Sequence, residues 1–158
     1  MKASPHPKHR LLSSLPEVRG RISTNVELAK LTWFRVGGPA EVLFRPADEV
    51  DLIDFLKKAP KEVPLTILGI GSNTLVRDGG IPGISIRLGR EFSKVKVTGQ
   101  KLIVGGGTPN LKLANVARDK SLAGLEFLCG IPGNLGGSIR MNAGAFDCEL
   151  KDLIENVR

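Results

Sequence analysis

The chain has 158 residues, of which 41% are hydrophobic and 25% are charged, as is typical of a water-soluble domain with its own core. No run approaches the roughly 20 apolar residues that cross a bilayer. The N-terminus also lacks the apolar core of a signal peptide, so a cytoplasmic protein without a membrane partner is expected. The net charge is +7, but an excess of four positive charges lies within residues 1–30. We expect residues 1–24 to be a basic N-terminal arm, solvated rather than bound to nucleic acid, because no aromatic side chains alternate with its charges.

The residue types present exclude several classes of catalytic site. His6 and His9 both lie in the arm, and the chain has no tyrosine, so the remainder lacks a histidine base or a histidine metal ligand. Cys129 and Cys148 are too few for a disulfide framework, and reduced structural thiols are expected. No metal site is predicted. Any redox chemistry in this part of the chain must therefore come from a bound cofactor.

The first predicted elements form a β-α-β unit in a folded region that starts near Asn25. Ala40–Arg45 alternates as a strand does, and Asp48 is placed to cap the helix that follows. A short buried strand, Leu65–Leu68, comes next and ends in a glycine-rich loop. The helical spacing predicts an apolar face formed by Val50, Ile53 and Leu56.

Another strand is predicted at Ile84–Leu88 and ends at Gly89. Two segments, Val95–Thr98 and Lys101–Val104, flank Gly99-Gln100 and predict a hairpin. A helix is predicted to follow with Asn110 as its cap, carrying the apolar residues Leu111, Leu113, Ala114 and Ala117. The last segment, 149–158, has no capping residue or polar tail, and its element is expected to continue beyond Arg158.

The loop Gly69–Thr74 directly follows a predicted strand. Glycines allow close backbone approach, and consecutive amides in such a turn can bind an anion, although an ordinary tight turn explains this loop equally well. It is not a Rossmann fingerprint, because Thr74 replaces the third glycine and no amphipathic helix follows. A Walker A loop is excluded because the dipeptide Gly-Lys is absent.

A stronger signal lies at Gly130–Ser138. Pro132 stiffens the turn, and three glycines give a ligand access to the backbone. A short helix starting near Asn134 is expected to present free N–H groups to a phosphate. The small residues of 141–145 leave room for a flat ring system. Several such loops in one chain indicate a dinucleotide-binding protein.

Four segments, 32–40, 69–76, 124–133 and 141–145, resemble the UDP-N-acetylenolpyruvoylglucosamine reductase family. The resemblance implies an α+β fold, namely a vanillyl-alcohol-oxidase-type (PCMH-type) FAD-binding domain made of two α/β lobes, 25–90 and 91–158, that clamp the flavin. It further implies non-covalent FAD, NADPH as the hydride donor, and UDP-N-acetylglucosamine enolpyruvate as the substrate, which is reduced to UDP-N-acetylmuramate in peptidoglycan precursor synthesis.

The resemblance also assigns cofactor-binding residues. The positions that match the family's flavin-contacting segments are Arg35, Val36, Gly37, Gly69, Ile70, Gly71, Ser72, Asn73, Thr74, Leu75, Gly107, Thr108, Gly124, Leu125, Glu126, Gly130, Ile131, Pro132, Gly133, Asn134, Gly136, Gly137, Ala143, Gly144 and Ala145. Asn134 stands where the family has a small hydroxyl residue, so its phosphate contact is expected to shift to the amide. Phe146 stands where tyrosine is common.

The family's catalytic residues lie in a following substrate domain, so none is assigned here. The second lobe is expected to be truncated, the chain alone to be inactive, and a monomer to be favoured. Three alternatives remain at this stage: another flavin oxidase of the same fold with non-covalent FAD, a basic nucleic-acid-binding protein, and a folded chain whose glycines only form turns.

Overall fold

The computed structural model describes residues 11–158 and divides the chain into two compact units, with the division between Gly89 and Arg90. The first ten residues of the predicted arm lie outside the described residues. The folded part begins before Asn25, because Leu11, Leu15 and Val18 pack against a buried cluster of the first unit.

A four-stranded sheet forms the first unit, with strands β1 (Arg21–Glu27), β2 (Pro39–Arg45), β3 (Leu65–Leu68) and β4 (Ile81–Arg87). The strand order is β1-β2-β4-β3, so β4 lies between the two strands of the predicted β-α-β unit. β1 runs antiparallel to β2, whereas β2, β4 and β3 are parallel. The carboxyl ends of these three strands therefore share one edge of the sheet, the edge at which α/β sheets bind ligands.

Helix α1 (Glu49–Lys58) connects β2 to β3. The predicted cap is confirmed, because the Asp48 side chain accepts a hydrogen bond of 2.9 Å from the Asp51 N–H. Acidic residues in the first turn and lysines in the last complement the helix dipole. The helix ends before Pro60, which disfavours helical backbone in the residue that precedes it.

The predicted apolar face of α1 is wrong. Val50, Ile53 and Leu56 are exposed, and the helix instead buries Phe55 and the carboxylate of Asp51. Burying Asp51 is possible because three backbone N–H groups donate to it, those of Arg19 (2.8 Å), Gly20 (2.9 Å) and Ala47 (2.9 Å). Arg19 and Gly20 lie just before β1. Their hydrogen bonds to Asp51 therefore attach the segment that precedes β1 to helix α1.

Both faces of the central strand β2 are buried. On the α1 face, the rings of Phe44 and Phe55 lie 4.2 Å apart between centroids, within a cluster completed by Val42, Ala59, Ile84 and Ile86. On the other face, the buried cluster consists of Leu28, Ala40, Leu43, Leu68 and Val76. β3 is last in the strand order and pairs with β4 alone among the described strands, so it is an edge strand rather than the buried strand predicted. Leu65 and Ile67 are exposed, and Leu68 is buried.

The second unit begins with the predicted hairpin of β5 (Val95–Thr98) and β6 (Lys101–Val104). Helices α2 (Asn110–Asp119) and α3 (Leu135–Arg140) follow. The core of the unit is formed by Leu113, Ala114, Phe127, Leu128, Leu135 and Leu150. Leu111, predicted on the apolar face of α2, is exposed because it faces away from this cluster. Two short strands, β7 (Gly144–Ala145) and β8 (Cys148–Glu149), form a final hairpin.

Candidate functional site

The two candidate segments of the first unit, Arg35–Gly37 and Gly69–Leu75, are brought together by backbone hydrogen bonds. The Trp33 N–H donates to the Gly71 carbonyl at 3.0 Å. The Gly38 N–H donates to the Arg77 carbonyl at 2.9 Å, just beyond the second segment. Segments that are distant in sequence therefore lie side by side at the carboxyl end of β3.

The internal packing of these loops accounts for two of their glycines. Gly71 has a φ of +74°, and a Cβ there would lie 2.7 Å from the Leu31 carbonyl oxygen. Gly37 has a φ of +102°, and a Cβ there would overlap the backbone of Val76. These conformations strain any L side chain. Both glycines are thus needed by the fold, whether or not a ligand binds.

Apolar side chains around the two segments remain exposed. Trp33, Phe34, Val36 and Leu75 are between 50% and 69% exposed, which is unusual for large apolar groups grouped in one region. Aromatic and aliphatic side chains beside accessible backbone suit a flat, partly polar ligand.

A small pocket of the first unit lies behind the Gly69–Leu75 segment. It is lined by Leu28, Leu31, Thr32, Leu68, Gly69, Gly71, Thr74, Val76 and Arg87. The hydroxyl of Thr32 is buried without a hydrogen-bond partner among the described residues. A buried polar atom without a hydrogen bond costs free energy. A polar group that entered the pocket and bonded to the Thr32 hydroxyl would remove this cost.

In the second unit, the segment around Gly107–Thr108 pairs with Gly133–Gly136. The Asn110 N–H donates to the Gly133 carbonyl at 3.0 Å, and the Leu135 N–H donates to the Thr108 carbonyl at 2.8 Å. The Gly136 N–H donates to the Gly106 carbonyl at 2.8 Å. This pairing corrects the prediction of free N–H groups at the start of a helix, since the first two amides of α3 already have partners.

Two buried asparagines hold these segments in place. The Asn134 side-chain amide donates to the Gly107 carbonyl at 2.6 Å, so it faces the protein interior rather than a phosphate as expected. The Asn110 amide donates to the Ile131 carbonyl at 3.0 Å and to Ser138 Oγ at 2.7 Å. Both ends of the glycine segment are therefore attached to the start of α2.

Asn110 was predicted as a helix cap, and this is wrong. Pro109 occupies the capping position, which places Asn110 inside the helix with its side chain fully buried. A shift of one residue converts a solvent-facing cap into an internal bridge. The signal available in the sequence, a polar residue before an apolar helix, does not distinguish the two.

Adjacent glycines of α3 differ in what surrounds them. A Cβ on Gly136 would lie 3.0 Å from the Gly106 carbonyl oxygen, so that glycine is required for backbone contact. A Cβ on Gly137 would meet no atom within 4 Å, and the residue is exposed. Glycine inside a helix is less favourable than alanine by about 1 kcal/mol. Packing within the chain therefore explains why position 136 is a glycine, but it does not explain the glycine at position 137. The open space beside Gly137 is large enough for an atom of a ligand to contact the backbone.

The remaining candidate segments border this region of the second unit. The Ala143 N–H donates to the Ser138 carbonyl at 2.8 Å, which places the 143–145 segment beside the end of α3. The Glu126 carboxylate accepts a hydrogen bond of 2.8 Å from the Gly124 N–H and so closes its own turn. Glu126 also begins a 3-10 helix that ends at Gly130, where the glycine segment starts.

Within residues 11–158, no helix has the length and apolar character needed to cross a membrane. The same part of the chain holds no group of three or more potential metal-binding side chains. Cys129 and Cys148 are both free thiols, without a disulfide between them, and both are exposed.

Several known proteins are similar in sequence to this chain. The profile of the FAD binding domain family matches residues 40–158. UDP-N-acetylenolpyruvoylglucosamine reductase of Azorhizobium caulinodans is 53% identical over 148 residues, which are 94% of this chain and 48% of that protein. The same enzyme of Rhodospirillum rubrum is 55% identical over 144 residues, which are 91% of this chain and 45% of that protein.

A solved structure gives the same result. The crystal structure of UDP-N-acetylenolpyruvylglucosamine reductase from Thermus caldophilus superposes with a TM-score of 0.71 at 38% identity, covering 84% of this chain and 46% of that chain. The α+β fold predicted from the sequence is confirmed. The chain spans about half the length of the curated relatives that it matches.

Proposed function

The chain belongs to the FAD binding domain family, and we propose that it is the cofactor-holding part of a cytoplasmic UDP-N-acetylenolpyruvoylglucosamine reductase. The chemistry that bound FAD would supply there is hydride transfer from NADPH to the enolpyruvyl double bond of UDP-N-acetylglucosamine enolpyruvate. The part assigned to this chain is to bind and orient the dinucleotide. The proton donor belongs to a substrate domain that has no counterpart among these 158 residues.

The observation that carries the proposal is the open backbone surface at Gly137. The paired segments Gly107–Thr108 and Gly133–Gly136 hold this part of α3 rigidly, through hydrogen bonds of 2.8 to 3.0 Å. Gly137 itself contacts nothing that requires a glycine. A rigid backbone with an uncovered glycine allows a ligand to lie against the main chain, as a dinucleotide does in glycine-rich sites.

The residues present fit FAD in both units. In the first unit, the buried Thr32 hydroxyl without a partner and the exposed Trp33, Phe34 and Leu75 offer one polar and several apolar contacts. In the second unit, the Gly130–Gly137 and Ala143–Ala145 segments offer backbone contacts. No histidine lies within residues 11–158, so this part offers no histidyl attachment for a flavin, and we propose that FAD binds non-covalently.

The proposal is tested by titrating the purified chain with FAD and recording the absorbance and fluorescence of the flavin. We expect saturable binding that dialysis against denaturant reverses, because no covalent bond forms. Riboflavin, which lacks the phosphates and the adenine, should bind more weakly. A chain that is folded by circular dichroism but leaves the flavin spectrum unchanged would contradict the proposal.

A further inference from the structure

Helix α1 directs an apolar face away from the sheet of the first unit. Successive helical residues differ in direction by about 100°. Ile53 therefore points away from Asp51 and Phe55, which are buried two positions before it and two positions after it. Val50 and Leu56 lie about one turn to either side of Ile53 on the same face. The exposed fractions are 60% for Val50, 40% for Ile53 and 43% for Leu56. These three residues are here called the outer face of α1.

The charges of α1 change sign along the helix. All of its acidic residues precede its two lysines, with Glu49 in the first turn and Lys57 and Lys58 in the last. Glu49 and both lysines are exposed. If two such helices pack antiparallel, the acidic end of each lies beside the basic end of the other, and opposite charges attract. A second copy of α1 is therefore a partner of complementary charge.

The outer face is also symmetric about Ile53. Val50 and Leu56 are each three positions away from it, and Glu49 and Lys57 are each four positions away. In an antiparallel pair with a two-fold axis beside Ile53, residues equally distant from the axis lie at the same height. Ile53 then meets its own copy, and Val50 is level with Leu56 of the second copy. Glu49 is likewise level with Lys57 of the second copy, so the face is complementary to itself.

We propose that the outer face of α1 is a self-association surface, through which two copies of this chain form an antiparallel, two-fold symmetric helix pair. A helix of 10 residues is about 15 Å long and about 10 Å wide. Such a face is smaller than the roughly 800 Å² per partner of a standard interface, so the dimer should dissociate on dilution. This dimer departs from the monomer expected from the sequence. It is independent of the proposed function, because no residue of α1 belongs to the segments assigned to flavin.

Sedimentation velocity of the 158-residue chain, from about 10 μM to about 1 mM, measures the association. We expect the sedimentation coefficient of wild type to rise with concentration. Ile53→Asp places a charge at the centre of the outer face and should stay monomeric throughout. Ile103→Asp is the matched control, since Ile103 is 65% exposed on β6 of the second unit, and it should behave as wild type. A wild type that is monomeric at every concentration, or an equal effect of both variants, overturns the proposal.

Charge reversal tests the antiparallel arrangement. Lys57→Glu places two glutamates side by side at each end of the pair and should weaken the dimer about fivefold. Glu49→Lys should have a similar effect, but Glu49 also interacts within its own chain, so Lys57→Glu is the cleaner single variant. The double variant restores an opposite pair at each end and should recover most of the wild-type affinity. If the double variant associates as weakly as Lys57→Glu, the antiparallel pairing is wrong and the proposal fails.

Disulfide crosslinking locates the two-fold axis. Cys129 and Cys148 are exposed, so both are first replaced by serine. In that background Ile53→Cys meets its own copy, and oxidised glutathione should convert the two thiols to an intermolecular disulfide while it is reduced to glutathione. Ile103→Cys is the control and should remain monomeric on non-reducing electrophoresis. Equal crosslinking at positions 53 and 103, or none at position 53, contradicts the helix pair.

Discussion

Gly137 is a glycine in a helix with open space where its Cβ would be. Gly137→Ala should keep or raise the free energy of unfolding, since alanine is favoured over glycine in helices by about 1 kcal/mol. If a ligand lies against this backbone, the added methyl group should weaken FAD binding about tenfold, a change equivalent to about 1.4 kcal/mol. Flavin fluorescence titration and urea unfolding measure the two effects.

The control for Gly137→Ala is Gly89→Ala, a second glycine with no atom within 4 Å of the added Cβ. It lies outside every candidate segment, so FAD affinity should not change. Equal affinity in Gly137→Ala and wild type would contradict the assignment. Gly133→Val is a poorer test, because the φ of +137° at Gly133 strains any substituted side chain and would damage the fold itself.

Asp51 shows how a buried charge is stabilised by backbone alone. Burial by itself raises the pKa of its carboxyl, but the N–H groups of Ala47, Arg19 and Gly20 outweigh it, and the pKa is lowered. In Asp51→Asn, the three backbone N–H groups face a neutral side chain whose NH2 group cannot accept their hydrogen bonds. We therefore expect a loss of about 2–4 kcal/mol in the free energy of unfolding. Asp54→Asn, on the exposed side of the same helix, is the control and should be near neutral.

The same residue predicts a dependence of stability on pH. Because the folded pKa of Asp51 is lowered, its contribution is complete above the unfolded pKa of about 3.9. The contribution is lost as the pH falls through the folded pKa. Urea unfolding at neutral and at acidic pH should therefore show a larger acid-induced loss in wild type than in Asp51→Asn. Equal losses would show that the carboxylate is not the group responsible.

At the scale of elements, the β7–β8 hairpin has an unusual turn. Phe146 and Asp147 connect its strands with φ of +54° and +60°, as in a type I′ turn, where asparagine and glycine are preferred. Phe146 is 84% exposed, and a Cβ on Gly130 would lie 3.8 Å from its ring. An exposed aromatic ring on a strained backbone, beside a candidate binding segment, predicts a function for the ring.

Phe146→Asn should therefore stabilise the hairpin by about 1 kcal/mol, since asparagine adopts positive φ more readily. It should also weaken FAD binding, because the ring beside Gly130 is lost. Phe146→Ala removes the ring without relieving the backbone, so it should weaken binding without stabilising the chain. Calorimetric melting and flavin titration would be measured for both variants. Unchanged affinity in both would show that the ring has no contact with the ligand.

At the scale of the whole molecule, we expect cofactor binding and turnover to depend on different parts of the reductase. The chain spans about half the length of its relatives, and the resemblance places the proton donor in the other half. We expect the 158 residues to bind FAD but not to oxidise NADPH in the presence of UDP-N-acetylglucosamine enolpyruvate. The absorbance of NADPH is the readout, and the full-length enzyme of Azorhizobium caulinodans is the positive control. Turnover by the chain itself would contradict this division.

The sequence predicted the elements whose signals are local. The cap at Asp48 and the Val95–Val104 hairpin follow from neighbouring residues, and the structure has both. The α+β fold was implied by the family resemblance of four segments, and the comparisons confirm it. These two predictions succeed because a cap or a tight turn depends on only a few adjacent residues, whereas the cap predicted at Asn110 is displaced by one residue to Pro109.

Only the tertiary structure decided which side chains face inward and what lies beside them. Helical spacing alone predicted that Val50, Ile53 and Leu56 form the buried face of α1. Asp51 is buried instead, because Arg19 and Gly20, which are distant in sequence, donate hydrogen bonds to its carboxylate. Strand pairing likewise brings Arg21, Arg45 and Arg87 next to one another from three positions spread over the first unit. Periodicity describes one element at a time, but burial and charge clustering depend on the pairing of elements. That physical difference separates what the sequence determined from what the fold added.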